Sequence, residues 1–362
     1  MTGSVIRNHN RGSTRLAPVR AHGGRLAEAR RLFPGAPEPL VDLSTGINPR
    51  PYPIPDIPPH WLTRLPEPDD LAALQTVAAA AYGVTDTAMV VAAPGTQILI
   101  DLLPRLWPAG SVAVLGPTYA EHRAAWMRVG CAVTEVQNLA ELRSAPVAVI
   151  CNPNNPDGRR IPRSDVVALA DLLAERGGFV LVDEAFADLE PPPITVAAAL
   201  PHRGLLILRS FGKTYGLAGL RLGFGLASPA NASAIRDALG PWAVSGVAIG
   251  IGRQALADQP WLAKTAQACA NAVERLDIML TQAGIRVVGG TRLFRLGECA
   301  SAETVFRHLG RAGVFVRRFA EHPCWLRFGL PDDERAWTRL ETALTSVAGR
   351  DAGKGWTDVC SH

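Results

Sequence analysis

The residues best equipped for chemistry in this chain lie in one stretch, Ser210-Phe-Gly-Lys-Thr-Tyr-Gly-Leu-Ala-Gly-Leu-Arg-Leu-Gly-Phe224. Three chemistries fit it on paper. Ser210-x-x-Lys213 matches a serine nucleophile with its helper lysine. Gly212-Lys213-Thr214 matches the end of a phosphate-binding P-loop. A lysine after an apolar strand can also hold a carbonyl cofactor as a Schiff base. The P-loop fails, because its pattern puts the first glycine at Ile207, inside the apolar run Leu205–Arg209. The acylating-serine reading lacks the S-D-N and K-T-G partners it needs.

The Schiff-base reading gains from composition. Of 37 basic residues only three are lysines, Lys213, Lys264 and Lys354. Arginine stays charged and cannot replace an amine that must lose its proton. Lys264 and Lys354 are as readily surface residues, the first in a helical stretch and the second in a polar tail. A lysine holding pyridoxal phosphate makes further demands. It needs a carboxylate for the pyridine nitrogen, anion-binding groups for the phosphate and an aromatic face for the ring.

Each demand has a candidate beside an apolar run. Asp183 ends Phe179-Val-Leu-Val-Asp183, at the carboxyl end of a strand, where α/β sites lie. Gly95, Thr96 and Gln97 occupy a strand-to-helix turn with free N–H groups, and Ser210 and Arg221 flank the lysine. Tyr119 follows Gly116-Pro-Thr, and Asn155 lies in the turn Asn152-Pro-Asn-Asn-Pro-Asp-Gly158. Taken singly, each has a plainer reading: Tyr119 as core packing, Asp183 as a helix cap, the Asn-Pro run as a turn. Their coincidence at strand ends around one of three lysines is what favours chemistry.

The elements that would position them form an α/β pattern. Strands are expected at Met89–Ala93, Ser111–Leu115, Ala132–Val136, Val147–Cys151, Phe179–Val182, Leu205–Arg209 and Leu222–Leu226, with helical stretches between. This alternation implies a mostly parallel seven-stranded sheet flanked by helices. A smaller α+β unit follows, with strands near 285–289, 291–296, 314–319 and 325–329. The expected organisation is a Pro-rich N-terminal arm over 1–60, a large cofactor-binding domain over 61–240, a small C-terminal domain over 241–348 and a tail over 349–362. Net charge is +4, with scattered basic residues and no basic–aromatic run, so nucleic acid is not an expected partner. The six cysteines form no C-x-x-C pair and no zinc spacing, so no metal is expected. No apolar run approaches membrane length and the first residues are polar, so a cytoplasmic protein is expected.

These motifs in this order resemble fold-type I pyridoxal-phosphate enzymes of the aminotransferase superfamily. Asn155, Asp183 and Lys213 fall in N-P-N-N-P-D-G, D-E-A-F and S-x-x-K followed by G-L-R-L-G. Within it the chain is similar to the branch of histidinol-phosphate aminotransferases and threonine-phosphate decarboxylases. Ala21-His22-Gly23-Gly24 and Val41-Asp-Leu-Ser-Thr-Gly-Ile-Asn48-Pro49 look like the decarboxylase group of cobalamin synthesis. The resemblance implies Lys213 as the Schiff base, Asp183 at the pyridine nitrogen, Asn155 at the ring hydroxyl and Tyr119 stacked on the ring. It implies Gly95, Thr96, Gln97, Ser210 and Arg221 around the cofactor phosphate. For a phosphorylated amino-acid substrate it implies Arg327 at the carboxylate and His22 with Arg317 or Arg318 at the phosphate; Gly23, Asn48 and Asn155 line the same side. It implies a homodimer with shared sites. Two departures stand out: Phe186 replaces a tyrosine common in relatives, and Leu65-Pro-Glu-Pro replaces a Y-P-D-P segment. The implied reaction is decarboxylation of L-threonine O-3-phosphate to aminopropanol phosphate. Its rivals are transamination by a histidinol-phosphate or another phospho-amino-acid aminotransferase, and a catalytically silent binding protein.

Overall fold

Near-continuous apolar strands bounded by helical stretches need cover on both faces, and both faces are covered. The computed structural model describes residues 23–191 and 194–351, with side chains to Ser346. Among these the strands are β1 (Val41–Leu43), β2 (Val90–Ala93), β3 (Ser111–Leu115), β4 (Ala132–Val136), β5 (Val147–Cys151), β6 (Phe179–Asp183), β7 (Leu205–Arg209), β8 (Gly223–Ala227), β9 (Arg286–Thr291), β10 (Phe294–Glu298), β11 (Val314–Arg318) and β12 (Trp325–Gly329). The larger sheet has the order β2-β8-β7-β6-β5-β3-β4. Only β8 runs against its neighbours in that sheet. The mostly parallel seven-stranded sheet is therefore as expected.

The strand period of two divides the core cleanly. Ala148, Ile150, Val180, Val182 and Ile207 face one cluster, with Leu74, Leu169 and Ile249 from the helices Pro68–Tyr82, Arg163–Ala174 and Gly246–Ala257. Val147, Val149, Leu181, Leu206 and Leu208 face the other, with Leu99, Trp126 and Ile235 from the helices Thr96–Leu106, Ala120–Arg128 and Pro229–Leu239. The residues Ala93, Cys151, Asp183 and Arg209 end their strands between these layers.

The second sheet has the order β1-β11-β12-β10-β9 and packs on the helices Gln259–Gln282, Ala302–Arg311 and Glu334–Asp351. Its edge strand comes from the N-terminal arm, since β1 pairs in parallel with β11, Val41 opposite Val314. The arm is thus stitched into the second core: Phe33 packs on Phe306 at 5.4 Å. Farther along, Tyr52 stacks edge-on against Trp261 at 5.1 Å, and its N–H donates to Tyr215 O.

One expectation needs correction. A turn between strands near 285–289 and 291–296 would centre on Gly290, yet both Gly289 and Gly290 lie within β9, paired to β10. The glycines serve a close approach instead. A Cβ at Gly289 would lie 2.2 Å from Asp157 O, and one at Gly158 would lie 2.0 Å from Gly290 O. The Asn-Pro turn of the large unit therefore docks backbone to backbone on β9, which brings Asn155 within reach of the second sheet.

Candidate active site

Strand ends of the large sheet, the arm and β12 enclose a cavity of about 370 Å³. It is lined by Gly23, Gly95, Thr96, Gln97, Tyr119, Asn155, Asp183, Ser210, Lys213, Arg221 and Arg327 among the residues expected from sequence. Lys213 lies on a one-turn helix, Phe211–Thr214, directly after β7. Its Nζ donates to Ser210 Oγ at 3.3 Å and sits 5.1 Å over the Phe186 ring. Burial pushes the amine pKa down, Asp183 opposes this, and Arg327 and Arg221 push it down further.

Asp183 is held by groups on several sides. Its Oδ2 meets His122 Nε2 at 2.8 Å, and its Oδ1 accepts the Ala185 N–H at 3.0 Å. Burial alone would raise the carboxyl, but His122, Lys213 and the Ala185 N–H together hold it below its ordinary value. Burial likewise opposes a charged imidazole at His122, yet Cys151 and Asp183 outweigh it and push its pKa up to about 10. Sequence reasoning assigned His122 no role. The signal was there: a helix starting after Tyr119 puts residues three apart on one face, and the two rings lie 6.0 Å apart. His122, Cys151 and Asp183 bring ligand-type atoms within 4.8 Å of one another, a spacing a metal ion could also use. The direct His122–Asp183 hydrogen bond satisfies two of the three.

Opposite the carboxylate, an anion cradle forms where β2 turns into the helix Thr96–Leu106. Gly95 adopts φ +83, and a Cβ there would lie 2.7 Å from Arg221 Nη2. Glycine thus lets the guanidinium reach the first free N–H groups of an 11-residue helix, where the dipole favours negative charge. Arg221 reaches in from a left-handed backbone, φ 54. Tyr119 donates its hydroxyl to Gln97 Oε1 at 3.2 Å, and burial pushes its pKa up to about 12, so it keeps its proton.

Arg327, on β12, closes the far side. It is buried, contacts Asn155 Oδ1 through Nη1, and donates to Ser44 O at 2.9 Å through Nη2. Its Nε has no hydrogen-bond partner. Burial, with Arg317 nearby, pushes its pKa down to about 9, the signature of a cation short of an anion. Arg317 and Arg318, adjacent on β11, differ sharply. Arg318 donates to Glu303 at 2.6 Å and covers the Phe306 ring at 4.1 Å. Arg317 is pushed down by burial and is close enough to Tyr119 and Arg25 to feel their charge.

Of the expected substrate residues, Asn48, Arg317 and Arg318 do not line the cavity, and His22 lies outside the described residues. Asn48 is buried, and its amide donates to Thr214 O at 2.9 Å while its Oδ1 accepts the Arg50 N–H. It does not line the cavity, because its polar atoms are spent on the backbone behind Lys213. Thr45, Gly46, Ile47, Cys151 and Phe186 line it instead.

The model of the aminotransferase class I and II family matches residues 60–347. The chain belongs to that family. Among its curated members, a threonine-phosphate decarboxylase of Pseudomonas aeruginosa is 40% identical over 326 residues, 89% of this chain and 96% of that protein. Another from a Sinorhizobium species is 40% identical over 336 residues, 91% and 99% of the two chains. The crystal structure of histidinol-phosphate aminotransferase from Sinorhizobium meliloti in complex with pyridoxal-5'-phosphate superposes with a TM-score of 0.79 at 21% identity, covering 94% of this chain and 99% of that one.

Proposed function

We propose that this protein decarboxylates L-threonine O-3-phosphate, using pyridoxal phosphate, to 1-amino-2-propanol O-2-phosphate. The observation that carries the chemistry is a cavity with one half-buried amine, one buried carboxylate and two separate cationic ends. One end is the N–H cradle at Thr96 with Arg221, which fits the cofactor phosphate; the other is Arg327, which fits a substrate anion. Two anion subsites on either side of one lysine suit a phosphorylated cofactor and an anionic amino acid. The choice of decarboxylation rests on the 40% identity to threonine-phosphate decarboxylases over about nine-tenths of the chain.

Pyridoxal phosphate held in this site would supply an electron sink for the pair left at the substrate Cα. The chain's own residues do the rest. Lys213 Nζ would hold the cofactor aldehyde, and its lowered pKa keeps a share of the amine uncharged, as bond formation requires. The Asp183 carboxylate, kept ionised by His122, would hold the proton on the pyridine nitrogen. Asn155 and Tyr119 would position the ring. Arg327 would take the substrate carboxylate, and Arg317 would take the substrate phosphate. Arg318 is already committed to Glu303. After CO₂ leaves, Cα needs a proton, and Lys213 would deliver it.

We also read the protein as a cytoplasmic homodimer. Cys131, Cys151, Cys269 and Cys299 are free thiols, whereas Cys324 is disulfide-bonded. No helix among the described residues is long and apolar enough to cross a membrane. Ile54, Leu62, Leu65 and Trp242 are 57–72% exposed, and Trp242 adopts φ 56, a conformation a bulky residue rarely keeps without further contacts. The test of the reaction is to supply L-threonine O-3-phosphate with 2-oxoglutarate and measure both CO₂ and glutamate. CO₂ without glutamate is the expected result; glutamate without CO₂ would make the protein an aminotransferase.

A further inference from the structure

Under the cavity floor lies a group of buried charges that the proposed chemistry does not use. Arg209 ends β7, and its Nη1 donates to Glu184 Oε2 at 2.6 Å while Nη2 pairs with Asp188. Glu184 also accepts the Thr195 hydroxyl at 2.6 Å and the Val196 N–H at 2.7 Å. Asp188 Oδ2 accepts the Thr214 hydroxyl at 2.9 Å. Three of the four core members are chain neighbours of site residues: Glu184 follows Asp183, Arg209 precedes Ser210 and Thr214 follows Lys213.

Stability is a poor explanation for this group. Two carboxylates face one guanidinium, with side chains 0–7% exposed. Arg209 Nε and the hydroxyl of Tyr82, whose ring lies 4.5 Å beneath the guanidinium, have no hydrogen-bond partner. Buried ions often return less than their desolvation costs, and a partly satisfied polar network is worse than an apolar core. What such a network can supply is a fixed relation among the segments it ties. The Lys213 helix needs that help, since one turn of four residues cannot hold itself. Asn48 grips the same turn from the arm side, with its N–H on Lys213 O at 2.9 Å.

We propose that Glu184, Arg209, Asp188 and Thr214 are positioning residues that fix the Lys213 turn relative to Asp183. The proposal rests on the reading of Lys213 as the cofactor-bearing lysine. Its variant of choice is Thr214→Val, which removes one hydroxyl and no charge, paired with Thr214→Ser, which restores it. In Thr214→Val, kcat falls about tenfold or more while KM stays within about twofold, because sub-ångström misplacement of a reacting group is costly to rate. The pH midpoint of the lysine-bound cofactor's absorption change also moves, and Thr214→Ser recovers both values. Asp188→Asn gives the same split should the valine variant not fold, with the Tm of the cofactor-free protein recorded alongside. A Thr214→Val protein with unaltered kcat and midpoint overturns the proposal, as does equal damage from valine and serine. Absence of the absorption band in the unsubstituted protein would instead remove the cofactor reading beneath it.

Discussion

The two ends of the cavity differ in how their charges are compensated. At the large-sheet end, Asp183 has His122, and beneath it, outside the lining, Glu184 and Asp188 have Arg209. At the β11–β12 end, Arg327 has only carbonyl-type oxygens of Ser44 and Asn155, and Arg317 has no carboxylate within ion-pair distance among the described residues. The carboxylates at the first end are paired before a substrate arrives, whereas the arginines at the second are short of negative charge. A cofactor that stays and a substrate that comes and goes make those two demands.

The sharpest break of the comparison is at the compensated end. Lys213→Ala should cost at least about 10³-fold in kcat with saturating substrate, since the covalent nucleophile is lost. Arg327→Lys should act at the open end and on a different constant. Replacing a buried planar fork with a point charge should raise KM about 10–100-fold, a cost of about 1.4–2.8 kcal/mol, with the cofactor still bound. Arg317→Gln should raise KM about tenfold, whereas Arg318→Gln should change it less than about twofold, because an exposed ion pair with Glu303 is worth little. Equal effects from the two would sink the assignment of Arg317 to the phosphate.

The smallest effect is on stability. Folding raises the His122 pKa from 6.5 to about 10, so its contribution is complete below 6.5 and is lost as pH rises through about 10. Folding lowers the Asp183 pKa from 3.8, so its contribution holds above that value and is lost as pH falls below it. Thermal melts of the cofactor-free protein should therefore peak between those two unfolded values. His122→Asn should lower the peak by a few degrees and flatten the alkaline decline; an unchanged alkaline limb would contradict the pairing.

The same two ends differ in how readable they were from sequence. Gly95, Asp183, Ser210 and Lys213 end or follow near-continuous apolar strands, and their coincidence at those strand ends is what made them candidate site residues. Ser111–Leu115, Val147–Cys151 and Leu205–Arg209 fall where the pattern puts them. Arg317, Arg318 and Arg327 carried no such signal and came from resemblance. Asn48 was misread because a short amide in a loop gives no clue whether it faces a cavity or a backbone. β1 escaped notice because three residues are too few for periodicity, and the Gly289-Gly290 pair imitated a turn. The boundary between the units was also obscure. Val244, Ala248 and Leu256 pack in the large core, so we propose drawing it after Ala257 rather than at 240.

The most direct measurement is borohydride reduction of the cofactor-loaded protein, followed by digestion and mass mapping of its three lysines. We predict the cofactor mass on the peptide containing Lys213, and none on those containing Lys264 or Lys354. Cofactor on either of the other two, or on no lysine at all, would contradict the site described.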